Sequence, residues 1–357
     1  MKIAIVGSGN IANIHAQELT GMGRKLSVVV GTVETEARAF QEKWGIEEYS
    51  PDFSRVLQDD ITTVHVCTPP TLHYEMVKML ILAGKNVICE KPLCTTADQA
   101  KELYELSREK GVVTAVNFNV RYHEACQSFR GKIESGELGR FILLHGTYEQ
   151  EFHVLPADYM WRYIDDVAGP MRATTEIGSH WIDLARFLTG CEIESVSATY
   201  GKFTPTRYIK DGMMYEEELP GSKKITVSSD DAVVAAIRFS NGALGNLFLS
   251  EVTQGRSNYV SMEITGTNKT ISWNSEDPYK LKSATKFGGT LCETNAFGGG
   301  FPNTFSRFFR EVYKDMDAGK PSENPTYPTF LDGYKNAAIC EAIYESAHHE
   351  SAWTNVK

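Results

Sequence analysis

The chain has 357 residues, 42% of them hydrophobic, which exceeds the size of one ordinary domain and makes two the expectation. Its formal charge of -10, with no run of lysine or arginine, argues against nucleic acid or an anionic membrane as a partner. Seven scattered cysteines without a C-x-x-C point to neither a disulfide framework nor a zinc site, and no apolar stretch has signal or transmembrane length, so a soluble, cytoplasmic protein is expected.

Residues 2–6 (KIAIV) read as a strand, GSGNIA as a glycine turn and NIHAQELTGM as a helix. In this G-x-G-x-x-A pattern Gly7 allows a tight turn, Gly9 lets the backbone approach a pyrophosphate, and Ala12 permits close helix–strand packing. Gly7, Ser8, Gly9, Asn10 and Ile11 therefore form a candidate dinucleotide loop, with the positive end of the helix facing the phosphates. The second strand, Leu26–Val30, ends in Gly31 and Thr32, where a carboxylate usually grips the ribose. Cofactor is NAD or NADP; Thr32 and Arg38 could receive a 2′-phosphate and favour NADP, although both also suit an ordinary loop and helix surface, and Glu34 could still reach a ribose. His15 and His65 read as structural.

Strands and helices go on alternating through TTVHVC, TPPTLHYEMVKMLILAG, NVICEKPL, TTADQAKELYELSREKG and VVTAVNF, the pattern of a doubly wound parallel sheet over residues 1–121. Thr68, Pro69 and Pro70 end one strand in a stiff loop suited either to a nicotinamide ribose or to a helix start. Another strand ends in Glu90, Lys91 and Pro92, placing Lys91 at the carboxyl edge, where such sheets bind ligands; a plain surface lysine is the alternative. Pro92 could hold its peptide bond in cis.

From residue 122 to 329 the pattern becomes an α+β domain: a helix over Glu124–Glu134, a strand over 141–152, then mostly strands from 193, with turns at Ser240-Asn241-Gly242 and Gly266-Thr267-Asn268 implying an open, mainly antiparallel sheet. Residues 205–230 read as a long excursion or lid-like loop. A glycine-rich run from Phe297 to Phe301 precedes a helix over Asn303–Met316, and a last helix from Phe330, within 330–357, is expected to pack on the first domain. Within AGPMRATTEIGSHWIDLARFLTG, Ile177, Trp181, Leu184 and Leu188 form a core stripe, while Glu176, His180 and Asp183 share a neighbouring one. A histidine with a carboxylate one turn away suits proton transfer from a hydroxyl. Two such groups without a third at matching spacing do not make a metal site, and no metal is expected.

Together GSGNIA at 7–12, CEKPL at 89–93 and EIGSHWIDLARFLTG at 176–190 resemble the Gfo/Idh/MocA family of NAD(P)-dependent oxidoreductases over nearly the whole chain. The resemblance implies a Rossmann domain followed by an open-sheet domain, often assembled through that sheet into dimers or tetramers. It implies that Lys91 contacts substrate and nicotinamide, and that Glu176, where the family carries aspartate, works with His180 on a sugar or polyol hydroxyl. Cofactor contacts are implied at Thr68, Pro69, Pro70, His73 and Glu90. DYMWR, 158–162, resembles a substrate-side loop of sugar-acting members, with Trp161 offering an apolar face to a pyranose and Arg162 donors to its hydroxyls, or packing alone. The expected function is hydride transfer between nicotinamide and a hydroxyl-bearing carbon of a sugar, sugar derivative or cyclitol such as inositol. The alternatives are an NAD-dependent glycosidase that oxidises transiently and a nucleotide-responsive regulator.

Overall fold

The chain is described by a computed structural model over residues 1–295 and 299–357. It divides into two compact units, Met1–Tyr122 with Gly299–Ala337 and His123–Gly298 with Ala338–Lys357.

In the first unit the elements run β1 (Ile3–Val6), α1 (Asn10–Gly21), β2 (Leu26–Val30), α2 (Glu34–Trp44), β3 (Glu48–Ser50), β4 (Thr63–Val66), α3 (His73–Leu82), β5 (Asn86–Cys89), α4 (Ala97–Lys110) and β6 (Thr114–Val116). β1, β2 and β4 are buried along their whole length, the burial expected of parallel strands covered on both faces. Strand order is β3-β2-β1-β4-β5-β6, every pairing parallel. The order reverses between β1 and β4, which opens a crevice at their carboxyl ends. Helix ends follow local chemistry: the Thr96 hydroxyl accepts from the Gln99 N–H to start α4, and Gly111, at φ 65°, closes it.

The second unit continues with α5 (Glu124–Glu134), β7 (Phe141–Glu149), β8 (Ala157–Asp158), α6 (Asp165–Ala168), α7 (Ala173–Glu176), α8 (Gly178–Thr189), β9 (Ile193–Gly201), β10 (Thr206–Lys210), β11 (Met213–Tyr215), β12 (Lys223–Thr226), β13 (Ala232–Phe239), β14 (Leu244–Ser250), β15 (Tyr259–Gly266), β16 (Thr270–Asn274), β17 (Lys280–Thr285) and β18 (Gly289–Thr294). Among the described residues, the large sheet runs β18-β17-β16-β15-β7-β14-β13-β9-β19, the last strand being Thr354–Asn355, and is antiparallel except for the β7–β14 pair. Both expected turns join antiparallel neighbours, β13 to β14 and β15 to β16. One face packs on α8, whose Trp181 indole N–H donates to the Ser261 carbonyl at 3.3 Å. Gly146 permits that approach, since a Cβ there would lie 2.7 Å from the indole nitrogen.

Three expectations are corrected. Residues 205–230 are not a loop: β10, β11 and β12 join β8, in the order β12-β10-β11-β8, in a four-stranded sheet over a small core of Ala157, Tyr163, Met214 and Val227. The Asp211-Gly212 turn, with both residues at positive φ, makes its central hairpin. The helix carrying Glu176 and His180 is interrupted at Ile177, between α7 and α8. Gly178 begins α8 against β14, where a Cβ would stand 2.7 Å from the Leu249 side chain.

The third correction concerns α9 (Phe301–Ala318), expected within a second domain spanning 122–329. Phe305, Phe308, Phe309, Val312, Tyr313 and Met316 recur every three or four residues and share a core with Ile3, Ile5, Ala12, Ala16 and Leu19 of the first unit. The glycine-rich run from Phe297 lies partly outside the described residues. The next helix, α10 (Phe330–His348), crosses the division, Phe330–Ala337 counting with the first unit and the remainder with the second, and β19 (Thr354–Asn355) pairs with β9. Because Phe308 is fully buried in the α9 stripe, Phe308→Ala should lower unfolding stability by about 3–5 kcal/mol, read by chemical denaturation.

Candidate active site

The glycine turn opens directly from β1. Gly7 sits at φ +105°, and a Cβ there would lie 2.7 Å from the Cys67 carbonyl oxygen, so only glycine lets β1 and the loop after β4 approach this closely. A Cβ on Gly9, by contrast, would meet nothing within 4 Å. Gly9 starts α1, whose first turn has neither an acidic residue nor a side-chain cap. Ser8 and Ile11 are half-buried, Asn10 is exposed, and Ala12 is fully buried against the sheet. Open backbone at an uncapped helix start fits a pyrophosphate.

At the end of β2, Gly31 has the close contact: a Cβ would stand 2.9 Å from Ala37, on α2. Thr32 is exposed. Arg38 is already engaged, donating from Nε to Glu34 at 2.7 Å and lying 4.9 Å from the Tyr49 ring centre.

Three loop segments converge after β4, β5 and β6. Thr68 and Pro69 are half-buried, and Pro70 opens a short 3-10 turn. His73 is fully buried, its ring nitrogens 2.8 Å from the Thr68 carbonyl and 2.9 Å from that of Pro92, so it ties two of these loops together. Glu90 is also interior, with 6% of its surface exposed. Its carboxylate faces His15 Nε2 at 2.8 Å, accepts from the Asn117 amide, and accepts from the Lys91 backbone N–H at 3.3 Å. Burial opposes its ionisation, but those hydrogen bonds and the charges of His15 and Lys91 prevail and hold it below the usual carboxylate range. Lys91 is half-buried, and the Lys91–Pro92 bond is cis.

In the second unit the sequence stripe becomes two short helices held by buried charge. Asp230 accepts from the backbone N–H groups of Arg172 and Thr174 at 2.7 and 2.8 Å, and so caps α7 from a distant part of the chain. Arg172, 1% exposed, donates to Glu251 at 2.8 Å and pairs with Asp231, which Arg207 also contacts at 2.8 Å. Both guanidinium groups lie about 5 Å from the Tyr163 ring centre. Glu176 projects from the end of α7 and accepts from Arg162 Nε at 2.7 Å, while Arg162 lies 4.7 Å from the Trp161 ring centre. The DYMWR segment and Glu176 are thus brought together. His180 and Asp183 are buried on α8, with the His180 ring 6.5 Å from that of Tyr148.

Sequence spacing missed Glu251, His153, Arg172, Asp230 and Asp231. Glu251 is fully buried, and its Oε1 has no hydrogen-bond partner. Burial, and then the nearby charge of Glu176, push its carboxyl well above the usual range against the pull of Arg172. His153, bonded to the Tyr163 hydroxyl, is pushed down to about 2 by burial and by Arg172, Arg162 and Arg207. One ligand atom each from His153, Glu176 and Glu251 lies within 4.8 Å of the others, a cluster no linear spacing revealed. A cation there would have to displace or face the Arg162 and Arg172 guanidinium groups that already engage the carboxylates.

These features are those of a dinucleotide-dependent oxidoreductase. The family description "Oxidoreductase family, NAD-binding Rossmann fold" matches residues 1–118, and "GFO/IDH/MocA C-terminal domain" matches 126–272. The chain belongs to the Gfo/Idh/MocA oxidoreductase family. It is 30% identical to a levoglucosan dehydrogenase of Pseudarthrobacter phenanthrenivorans, covering 100% of this chain and 98% of that one. It is 28% identical to a myo-inositol 2-dehydrogenase of Thermotoga maritima over 69% of this chain and 67% of the relative. Among solved structures, levoglucosan dehydrogenase in complex with NADH and L-sorbose superposes with a TM-score of 0.92 at 29% identity, covering 100% of this chain and 99% of that one.

Burial holds His65 well below its usual range, with His15 adding to the effect, so the folded chain resists a proton that the unfolded chain takes up below pH 6.5. Glu90, whose pKa is also lowered on folding, acts in the same direction below pH 4.5. Stability supplied by His65 is therefore present above pH 6.5 and lost as pH falls. Relative to His65→Gln, which does not titrate, the wild type should lose about 1.4 kcal/mol more between pH 7.5 and 5.5, measured by urea denaturation.

Proposed function

We propose that the protein is an NAD-dependent dehydrogenase that acts on a hydroxyl-bearing carbon of a sugar, sugar derivative or cyclitol. The observation that carries this reading is an E-K-P turn at the carboxyl edge of a Rossmann sheet, in a chain that matches a levoglucosan dehydrogenase from end to end. Bound nicotinamide would supply the hydride chemistry, and the chain supplies position and charge. Gly7, Ser8, Gly9, Asn10 and Ile11 would hold the pyrophosphate at the start of α1, and Thr68, Pro69 and Pro70 would bear on the nicotinamide ribose. Glu90 and His73 serve through the loops they tie rather than by reaching outward. The Glu34 partner of Arg38 supports NAD over NADP, since a 2′-phosphate would have to compete with that carboxylate.

Lys91 presents an ammonium that stabilises the negative charge growing on a sugar oxygen as its proton leaves. The His180 imidazole accepts that proton. Glu176, held by Arg162, orients the substrate, while the remaining Arg162 donors and the face of Trp161 recognise hydroxyls and a pyranose ring.

Anhydrosugars, pyranosides and inositols, offered separately with NAD and NADP, test the reading through nicotinamide absorbance. Reduction of NAD by at least one of them, faster than of NADP, is expected, and Lys91→Ala and His180→Ala should each lower kcat about 10²–10⁴-fold. Hydrolysis of a glycoside by NAD-loaded enzyme without any absorbance change would replace the dehydrogenase with the glycosidase.

The partner surface proposed for a second copy of the chain is the outer face of the large sheet. Leu143, Val234, Leu244 and Phe248 are 51, 58, 53 and 38% exposed there, and their registers place Leu143 beside Leu244 and Val234 beside Phe248. Apolar rows on an open sheet face favour burial against a like surface. Val234→Asp combined with Phe248→Asp should shift the sedimentation mass from a dimer or tetramer to a single chain, whereas an unchanged mass would remove this face from consideration.

A further inference from the structure

Glu90 is one end of a longer buried chain of polar groups. Its carboxylate meets His15 Nε2 at 2.8 Å; His15 Nδ1 lies 2.9 Å from His65 Nδ1; and His65 Nε2 lies 3.0 Å from the Tyr313 hydroxyl. Four elements contribute in turn, with Tyr313 on α9, His65 on β4, His15 on α1 and Glu90 just beyond β5. Each of these residues is at most 6% exposed. Phe309 packs edge-on against both imidazoles, at 4.9 and 5.1 Å between ring centres, and Phe305 against His15 at 5.9 Å. Behind such a wall the ring nitrogens face one another, the Glu90 carboxylate and the Tyr313 hydroxyl, with the Asn117 amide nitrogen 3.3 Å from His15 Nε2.

The proton positions follow from this geometry. An ionised Glu90 can only accept, so His15 Nε2 carries hydrogen. With His15 neutral, its bare Nδ1 accepts from His65 Nδ1–H, and the bare His65 Nε2 accepts from the Tyr313 hydroxyl. Every donor then points toward Glu90. With His15 cationic, the outer part reverses, His65 donating to the tyrosine oxygen, but the His15 bond to Glu90 stays as it was. With His65 uncharged, as its burial favours, any other assignment sets two hydrogens or two lone pairs face to face at about 3 Å, at the expense of a buried hydrogen bond. The oxygen of Glu90 that takes no part in this chain is the one bonded to the Lys91 N–H.

We propose that His15, His65 and Tyr313 are positioning residues for the reaction: their chain sets the Glu90 carboxylate, and Glu90 sets the backbone from which the Lys91 ammonium works. Nothing in sugar or nucleotide binding calls for two histidines and a tyrosine inside this core, where leucine or phenylalanine would pack without any need for partners. The inference rests on the reading of Lys91 given above.

Full-length His15→Leu, His15→Gln, Tyr313→Phe and Lys91→Ala are compared for kcat, sugar KM and NAD dissociation constant. His15→Leu should lower kcat about tenfold to a hundredfold through misplacement of Lys91. NAD binding should change by less than about twofold, because the glycine loop that holds the phosphates is untouched. His15→Gln, whose amide can donate to Glu90 and accept from His65, should recover most of the loss. Tyr313→Phe keeps the ring and its packing and should lower kcat about fivefold, the effect of one hydrogen bond. Wild-type kcat in His15→Leu and Tyr313→Phe, with only the melting temperature lowered, would overturn the inference and leave the network a purely structural one. Loss of NAD affinity in step with kcat in His15→Leu, with no recovery in His15→Gln, would overturn it too, since the damage would then lie in α1. Full turnover in Lys91→Ala would remove the reading of Lys91, and this inference with it, whereas an inactive Lys91→Ala beside an unaffected His15→Leu removes the inference alone.

Discussion

An ionised carboxylate inside a parallel sheet is the constraint around which the first unit is built. Glu90 keeps its charge despite burial because His15, Asn117 and the Lys91 N–H all direct donors at it. Those donors come from α1, from the residue after β6 and from the neighbouring peptide, so a single charge aligns three loops at the edge where a dinucleotide would lie. Gly7 does the same work by absence of a side chain, since its lack of a Cβ lets β1 and the loop after β4 close up. His73 completes the edge by joining the backbone of Thr68 to that of Pro92. The polar atoms of this region hold backbone in place, and Lys91 stands half-buried beside them.

The second unit uses charge differently. Its interior contains two arginines against Asp231 and Glu251, with the aromatic ring of Tyr163 about 5 Å from both guanidinium groups. Pairs of this kind are an uncertain source of stability, because desolvation offsets much of their attraction. Their effect here is geometric: Asp230 fixes the start of α7, Arg172 fixes Glu251, and Arg162 fixes Glu176. Two carboxyl groups, Glu176 and Glu251, end up close enough for the charge of the first to favour a proton on the second. The helix pair α7 and α8 is therefore held by a network in which each acid accepts from a nearby donor, Glu251 through Oε2 while its Oε1 is left without one.

Legibility from sequence followed the range of the interaction involved. The first sheet could be read because β1, β2, β4 and β5 are short runs rich in valine and isoleucine separated by helical periods, and Gly7, Gly9 and Glu90-Lys91-Pro92 fall at strand ends that period locates. The hairpins at Asn241-Gly242 and Thr267-Asn268 are equally local. The small four-stranded sheet escaped because Arg207-Tyr208-Ile209-Lys210 and Lys223-Lys224-Ile225-Thr226 look charged and irregular; Asp211-Gly212, a strong hairpin signal, was the local clue passed over. A continuous stripe from Glu176 to Asp183 assumed an unbroken helix, and Gly178 between Glu176 and His180 was the residue that contradicted it. Glu251 and Asp230 could not be read at all, since their roles arise from pairings with Arg172 across 79 and 58 residues that no window contains. The roles of Thr32 and Arg38 depended on whether Arg38 was already taken, which only the position of Glu34 decides.

The place of α9 has a consequence for how the chain is made. Ile3, Ile5, Ala16 and Leu19 emerge from the ribosome well before the aromatic stripe that covers them, since Phe305 to Met316 is translated only after β7 to β18 of the second sheet. Until then the nucleotide-binding half is a sheet with one apolar layer uncovered, a species prone to stick to other nascent chains and to engage holdase chaperones. A core begun before the second sheet is thus completed after most of it, and a ribosome stalled before Phe301 would release a dinucleotide fold that cannot close its own core.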